Sequence, residues 1–244
     1  MRALLLAAGL GTRLRPITDT IPKCLVPIHG RPLLDYWLDL VFGAGVVRCL
    51  LNTHWLADKV EAHVAASPWR DRVDLVYEEA LLGTGGTLLA NRGYFADATI
   101  LVAHADNLTD FDLGAFLAAH AARPPWCALS MLAFRTDAPQ TCGILELDDQ
   151  DVVQGFHEKV SDPPGNLANG AVYLIEPEVV RFIDEVATRH QRRFVDLSTE
   201  VLPAFVGRIL AHETAGYHRD IGSIESLKRA HDEYQPGSMR KSAD

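Results

Sequence analysis

Leu4-Leu5-Leu6-Ala7-Ala8-Gly9-Leu10-Gly11-Thr12-Arg13-Leu14-Arg15-Pro16 is the stretch on which the fold and the chemistry of this chain turn. An apolar, strand-like run enters a turn with glycines at 9 and 11. Without Cβ atoms there, the backbone can approach a ligand closely and aim its N–H groups at an anion. A P-loop would end on Gly-Lys-Ser/Thr, which is absent, and the dinucleotide fingerprint would need a third glycine where Leu14 stands. The turn ends instead on Arg13, whose guanidinium can grip phosphate oxygens bidentately. Lys23 follows inside Ile21-Pro22-Lys23-Cys24-Leu25-Val26-Pro27, where the two flanking prolines stiffen the segment and fix where the lysine points. Glycines alone would suit a plain strand–loop connection with solvated basic residues; the whole string favours phosphate.

Outward from this stretch, short apolar runs alternate with helix-period segments. Strands are expected at 3–8, 48–52, 73–77, 99–104, 128–134, 143–147, 171–175 and 209–213. Helices are expected at 32–42, 56–65, 86–91, 113–120, 177–186, 197–206 and 223–234, the last with Ser223 as N-cap. Strand, crossover helix, strand is the pattern of an α/β chain with a largely parallel sheet covered on both faces. Such sheets bind ligands at the carboxyl ends of their strands, which directs attention to the loops at Gly9, Glu78 and His104. The alternation breaks at about 138–170, read as a small β-rich insertion, and residues 235–244 read as a flexible tail. One domain over 1–234 is expected.

Composition excludes several classes. The 244 residues are 48% apolar and 23% charged, as in ordinary globular domains. With 32 acidic against 23 basic residues the net charge is −9 and the pI about 5.5, so no nucleic-acid-coating role is expected. Cys24, Cys49, Cys127 and Cys142 form no zinc-type spacing. The apolar run near the N-terminus is too short for a secretory signal, and no stretch is long enough to span a membrane. Asn107-Leu108-Thr109 matches a glycosylation acceptor, a match without meaning unless the chain is secreted. A cytoplasmic location is the expectation.

Three further strings carry chemistry. Leu82-Gly83-Thr84-Gly85-Gly86-Thr87 puts a glycine-rich turn at a helix start, where N–H groups and the dipole favour a ligand, although alone it suits a plain loop better. Glu78 and Glu79 precede it and can accept hydrogen bonds. His104-Ala105-Asp106-Asn107 ends an apolar strand with a carboxylate, a place to hold a hard cation between phosphates. A transition-metal site on His104 and Asp106 is disfavoured, because two ligands make a poor one. Glu158-Lys159 could be no more than a solvated pair.

Taken together, Gly9-Leu10-Gly11-Thr12-Arg13-Leu14-Arg15-Pro16, Pro22-Lys23 and Leu25-Val26-Pro27 resemble the opening motif of the sugar-1-phosphate nucleotidyltransferases, and the resemblance continues to about Ile224. That family joins a nucleoside triphosphate to a sugar 1-phosphate, releasing pyrophosphate. The resemblance implies a Rossmann-like three-layer α/β/α fold with a mixed, mostly parallel sheet and a small β-rich sugar-binding insertion. It also implies Mg²⁺ as cofactor. By match to the motif, Ala8, Gly9, Gly11 and Thr12 would border the nucleotide, Arg13 would hold the outer phosphates and Lys23 the α-phosphate side. Glu78, Gly83 and Thr84 would serve the base, and Asp106 and Asp220 (in Arg219-Asp220-Ile221-Gly222) would hold the metal. Asn107, Gly143, Glu158, Lys159 and Asn169 would meet the sugar phosphate. The family usually has Gly-Asp where this chain has Ala105-Asp106, which puts the backbone before the aspartate in doubt.

On this resemblance Arg13, Lys23, Asp106 and Asp220 are the catalytic set. A phosphate oxygen needs no deprotonation, so the chemistry asks for cations rather than a general base or a Ser-His-Asp nucleophile. The 82–86 loop resembles that of guanylyltransferases acting on mannose or heptose 1-phosphates, and the expected substrates are GTP and a manno-configured sugar 1-phosphate, feeding polysaccharide synthesis. Two alternatives stand beside it: a short uridylyl- or thymidylyltransferase, and a non-catalytic nucleotide-sugar sensor. The end of the chain at 244 leads us to expect no attached β-helix domain. No nucleic-acid or membrane partner is expected, and a homodimer is left open.

Overall fold

A computed structural model describes residues 1–235 of the chain. The tail read at 235–244 therefore lies, apart from Gln235, outside the described residues. Thirteen strands are described: β1 (Arg2–Leu6), β2 (Pro27–Ile28), β3 (Arg31–Pro32), β4 (Arg48–Thr53), β5 (Val73–Tyr77), β6 (Ile100–His104), β7 (Asn107–Thr109), β8 (Leu129–Arg135), β9 (Gly143–Leu147), β10 (Val153–Glu158), β11 (Leu167–Ile175), β12 (Ile209–Glu213) and β13 (His218–Asp220). The α-helices are α1 (Leu33–Gly43), α2 (Ala57–Ala66), α3 (Gly83–Ala90), α4 (Arg92–Phe95), α5 (Leu113–Ala121), α6 (Pro177–Arg189) and α7 (Ile224–Glu233). The result is the mixed α/β class that the alternating pattern predicts.

The chain forms two compact units, each assembled from separate segments. The first comprises Met1–Leu4, Ala80–Ala103 and Gly114–Thr214. Its strands follow the order β10-β9-β11-β6-β1, with β8 pairing β11 and β12. Here β11 is antiparallel to β6, β8 and β9, while β12 runs parallel to β8. Fully buried Leu101, Val102, Leu129, Met131, Val172 and Leu174 explain why these runs read as continuously apolar. Helix α6 has Pro177 at its first turn and buries Val179, Val180, Ile183, Val186 and Ala187, a single stripe at helical spacing.

The second unit comprises Leu5–Glu79, His104–Leu113 and the chain from Ala215 onward. Its part of the sheet has the order β1-β4-β5, with β4 and β5 parallel. Leu14, Val26, Ile28 and Leu33 pack with Leu108, Ile221, Leu227, Ala230 and Tyr234. Each large aliphatic side chain buried this way contributes about 1.5–3 kcal/mol. The segments around residues 14, 26, 108 and 221 are thus pinned to one core, and those are the segments that bear Arg13, Lys23, Asp106 and Asp220. Ser223 caps α7 as expected, its Oγ accepting from Ser226 N–H at 3.1 Å.

Two helix expectations change, and the β-rich reading of 138–170 holds. The helix expected at 86–91 begins earlier, at Gly83. Residues 197–206 form no single α-helix: Leu197–Val201 make a π-helical turn and Leu202–Phe205 a 3-10 turn, because Pro203 cannot donate to a continuing helix. The 138–170 region forms β9 and β10, whose ladder joins β11 through Ala168 and Ile144, so it extends the first unit's sheet.

Candidate active site

Gly11 shapes the turn after β1. Its φ is +63°, a left-handed value that glycine adopts without strain, and an added Cβ would lie 2.8 Å from Thr18 Cγ2. Thr18 Oγ1 donates to Gly11 O at 2.7 Å, and Trp55 Nε1 donates to Thr18 O at 2.9 Å. Neither Thr18 nor Trp55 stands out in the sequence, since a brace by one hydroxyl and one indole has no periodic signal. Gly9 differs: no atom lies within 4 Å of a Cβ placed there, so the protein itself does not require glycine at this position. Leu14 is fully buried, which leaves Arg13 held at its root with its guanidinium in solvent.

Lys23 opens a short turn that Leu25 N–H closes on Pro22 O at 2.8 Å, and Cys24 and Val26, which follow it, are buried. Its Nζ lies 2.7 Å from Asp106 Oδ2 and 3.0 Å from Asp220 Oδ1. Arg13 Nη2 stands 3.6 Å from Asp220 Oδ2. The two aspartates, distant in sequence, are joined by the β7–β13 ribbon, in which Asp220 sits opposite Asn107, and by Ile221 N–H donating to Asp106 O at 3.3 Å. Gly222 makes room beside them, because a Cβ there would fall 2.5 Å from Asp220 Oδ2 and 2.9 Å from Arg13 Nη2. Ala105 is fully buried and donates its N–H to Leu6 O at 3.0 Å, so alanine is accommodated before the aspartate. Asn107 is buried in β7, its carbonyl accepting from Trp37 Nε1 at 2.8 Å.

The Lys23 side chain is only 8% exposed, so its charge is compensated by protein rather than by water. Burial alone would lower its pKa, but Asp106 and Asp220 outweigh that and hold it above the ordinary value. Burial likewise pushes the Asp106 carboxyl up, and Lys23, His104 and its hydrogen bonds more than reverse this, leaving it below the usual range. Burial raises the neighbouring Cys24 thiol to about 12, so it stays protonated and inert at neutral pH. Two carboxylates converging on one ammonium form an oxygen-only donor set. That set suits Mg²⁺, which takes one or two carboxylates and completes its shell with water and phosphate oxygens. Among the described residues no cluster of three or more His, Cys, Asp and Glu forms an all-protein cage.

Glu78 follows β5 and is 5% exposed, more enclosed than a base-reading acceptor needs to be. Its Oε1 accepts from Asn52 Nδ2 at 2.9 Å, and Asn52 Oδ1 accepts from Ala7 N–H at 2.7 Å. Asn52 is a residue the sequence does not single out. Ala8 is buried, Thr12 exposed and Glu79 exposed.

In the first unit, the glycine-rich turn is shaped by its own neighbours. Val195 O accepts from Gly85 N–H at 2.9 Å and from Gly86 N–H at 3.1 Å. The amides of Gly85 and Gly86 are thus engaged by backbone rather than offered to a ligand. Gly83 has φ +73° and a Cβ there would sit 2.6 Å from Val195 O. Thr84 Oγ1 donates to Asp196 Oδ2 at 3.3 Å and accepts from Leu197 N–H at 2.7 Å. Gly83→Ala meets both an unfavourable φ and a backbone oxygen that cannot step aside. It should cost about 2–4 kcal/mol of unfolding free energy, read from the denaturant midpoint; an unchanged midpoint would contradict this packing.

Of the residues expected on the sugar side, Gly143, Glu158, Lys159 and Asn169 lie in the first unit, and Asn107 lies in the second. Antiparallel pairing sets Glu158 opposite Gly143, and a Cβ on Gly143 would lie 2.6 Å from Glu158 Oε2. Glycine there leaves space for that carboxylate. Lys159 Nζ is 3.1 Å from Glu158 Oε1, with the lysine mostly in solvent. Asn169 Nδ2 donates to Tyr173 OH at 2.8 Å, and its Oδ1 accepts from Ala171 N–H at 2.9 Å. Tyr173 is fully buried, and burial raises its phenol well above the ordinary value. It fixes Asn169 from beneath, a role hidden in the sequence because tyrosine inside an apolar strand reads as core.

Comparison with known proteins agrees with these motifs. The chain is 32% identical over 232 residues to mannose-1-phosphate guanylyltransferase of Mycobacterium tuberculosis, covering 93% of this chain and 62% of that protein. It is 29% identical over 235 residues to glucose-1-phosphate thymidylyltransferase of Streptomyces griseus, covering 93% and 64%. It thus spans less than two thirds of the length of these relatives. Two solved structures share the fold. One, from Bacillus anthracis, assigned as a glucose-1-phosphate thymidylyltransferase in complex with sucrose, superposes at a TM-score of 0.82 with 20% identity over 95% of this chain and 94% of that one. The other, HddC from Yersinia pseudotuberculosis in complex with GMP-PN, gives 0.78 with 24% identity over 96% and 99%. The model of the nucleotidyl transferase family matches residues 2–236, and the chain belongs to that family.

Proposed function

We propose that the protein is a sugar-1-phosphate nucleotidyltransferase, transferring a nucleotidyl group from a nucleoside triphosphate to a sugar 1-phosphate with release of pyrophosphate. The observation that carries this is Lys23 drawn between Asp106 and Asp220, beside Arg13, in the unit that bears the Gly11 turn. Two anions must be brought together in this reaction, and the demand is for positive charge held in fixed places. Arg13 presents a forked, permanently charged donor to the outer phosphates. Lys23 supplies a compact charge already desolvated by the protein, so little reorganisation is needed when a phosphate oxygen takes over from a carboxylate. Asp106 and Asp220 would hold Mg²⁺, which supplies charge neutralisation on phosphate oxygens. The attacking phosphate oxygen is anionic already, and no side chain has to remove a proton.

In the first unit, Glu158 accepts from sugar hydroxyls and Lys159 clasps the sugar phosphate, while Gly143 and Asn169 shape that side. Lys159→Ala should raise the KM for sugar 1-phosphate by about 10–100-fold with the triphosphate KM nearly unchanged. Equal loss toward both substrates, measured by initial rates with each substrate varied in turn, would misplace the role.

For the nucleotide we favour GTP and for the sugar a manno-configured 1-phosphate. Support comes from the guanylyltransferase at 32% identity and from the shared fold of a structure that contains GMP-PN. A thymidylyltransferase at 29% identity keeps dTTP as the rival. Equimolar GTP, UTP and dTTP offered with mannose or heptose 1-phosphate, with products separated by mass, decide between them. A dominant GDP-sugar is expected, and a dominant UDP- or dTDP-sugar would reject the guanine assignment. Absence of any nucleotide sugar would favour a sensor.

A further inference from the structure

We propose that Asn52 is a positioning residue for the phosphate loop, joining the amide that opens the loop to the carboxylate of Glu78. The inference rests on residues 9–13 being that loop. Asn52 and Glu78 are 3% and 5% exposed, too enclosed for water to mediate between them. Both lie at the carboxyl ends of adjacent parallel strands, Asn52 in β4 and Glu78 directly after β5.

The hydrogen-bond directions admit one arrangement. A backbone N–H can only donate and a carboxylate can only accept. Ala7 N–H therefore needs an acceptor at 2.7 Å and Glu78 Oε1 a donor at 2.9 Å, and the Asn52 amide supplies one of each. An aspartate would offer only acceptors, an alanine neither group. The orientation of the Asn52 amide is thereby fixed by its partners.

Both ends of this joint are anchored. Residue 6, just before Ala7, accepts from Ala105 N–H at 3.0 Å, so the root of the loop is tied on one side to the residue preceding Asp106 and on the other to Asn52. Glu78 N–H donates to Thr53 O at 2.9 Å, and His54 Nδ1 lies 2.7 Å from Glu78 O. Glu78 cannot shift without carrying Asn52, and Asn52 cannot shift without disturbing Ala7, two residues ahead of Gly9.

The test is a swap of hydrogen-bond character. Asn52→Asp would set two carboxylates 2.9 Å apart, whereas adding Glu78→Gln restores a donor facing an acceptor. Glu78→Gln alone is expected to be mild, because a glutamine can turn its oxygen toward Asn52. The probe is inorganic tripolyphosphate, which has no base and so reads the loop alone, titrated by calorimetry at pH 8; melting temperatures are read alongside. Asn52→Asp should weaken tripolyphosphate about tenfold and lower the melting temperature by several degrees. The double variant should return binding to within about twofold of wild type and recover most of the melting temperature. Wild-type affinity in Asn52→Asp, or no recovery in the double variant, would overturn the proposal. If Asn52→Asp alone does not fold, recovery of folding in the double variant supports the joint and its absence overturns it. Wild-type protein that binds no tripolyphosphate would instead refute the loop assignment, and the melting temperatures would still judge the Asn52–Glu78 joint.

Discussion

Asp106→Asn is expected to lower kcat/KM for pyrophosphate release by about a thousandfold, roughly 4 kcal/mol of transition-state stabilisation. The substitution changes one atom and one charge. The backbone around it is held by Ala105 N–H on Leu6 O and by Ile221 N–H on Asp106 O, so the fold should persist. What disappears is a carboxylate 2.7 Å from Lys23 and half of the pair that would hold Mg²⁺. Asp220→Asn should act in the same direction but less, since its side chain is 52% exposed against 30% for Asp106 and water replaces part of what is lost. Initial rates at ordinary and raised Mg²⁺ check both. Near-normal turnover of either variant at ordinary Mg²⁺ would remove that aspartate from the metal assignment.

Lys23→Met should damage stability as well as turnover. The ammonium neutralises two carboxylates, and without it Asp106 and Asp220 face each other with no cation between them. Breaking one partner out of a buried ion pair costs about 3–5 kcal/mol; partial exposure of the aspartates reduces the expected loss to about 2–3 kcal/mol. Millimolar Mg²⁺ should return part of that loss in the variant while hardly moving wild type, in which Lys23 already occupies the carboxylates. Urea midpoints with and without Mg²⁺ give the comparison. A variant as stable as wild type without Mg²⁺, or one indifferent to it, would mean that Lys23 does not counterbalance the pair.

The strands at 73–77, 143–147 and 209–213 fall where the sequence places them, because each is a short apolar or β-branched run between turn residues. The loop from Gly9 to Lys23 was readable for another reason: its residue types are chosen for backbone shape and charge, which survive as a linear string. The ribbon of β7 and β13 was not readable. Three-residue strands such as His218-Arg219-Asp220 carry no period, and their pairing comes from the buried cluster around Leu108 and Ile221. That pairing is what joins Asp106 to Asp220, a union the motif resemblance alone could suggest. Gly85 and Gly86 misled in the opposite way: glycines at a helix start resemble an anion cradle, whereas here they admit the backbone of residues 193–195. Asn52 stayed hidden because Ala7 and Glu78, the groups it joins, stand 45 and 26 positions away in sequence.

The second unit draws on Leu5–Glu79, then on His104–Leu113, and closes only with the chain from Ala215 onward. During synthesis this order becomes a timetable. A nascent chain that has reached residue 214 already holds Lys23 and Asp106, but it lacks β13 to pair with β7, and it lacks Ile221, Leu227 and Ala230 to complete the cluster on Leu14 and Val26. Lys23 then has one carboxylate instead of two. Contacts closed so late and over so long a stretch of chain are slow to form, and apolar surface near the loop stays uncovered until they do. The charge cluster on Lys23 is therefore completed by residues made long after the lysine itself, and its assembly waits on β13 and α7.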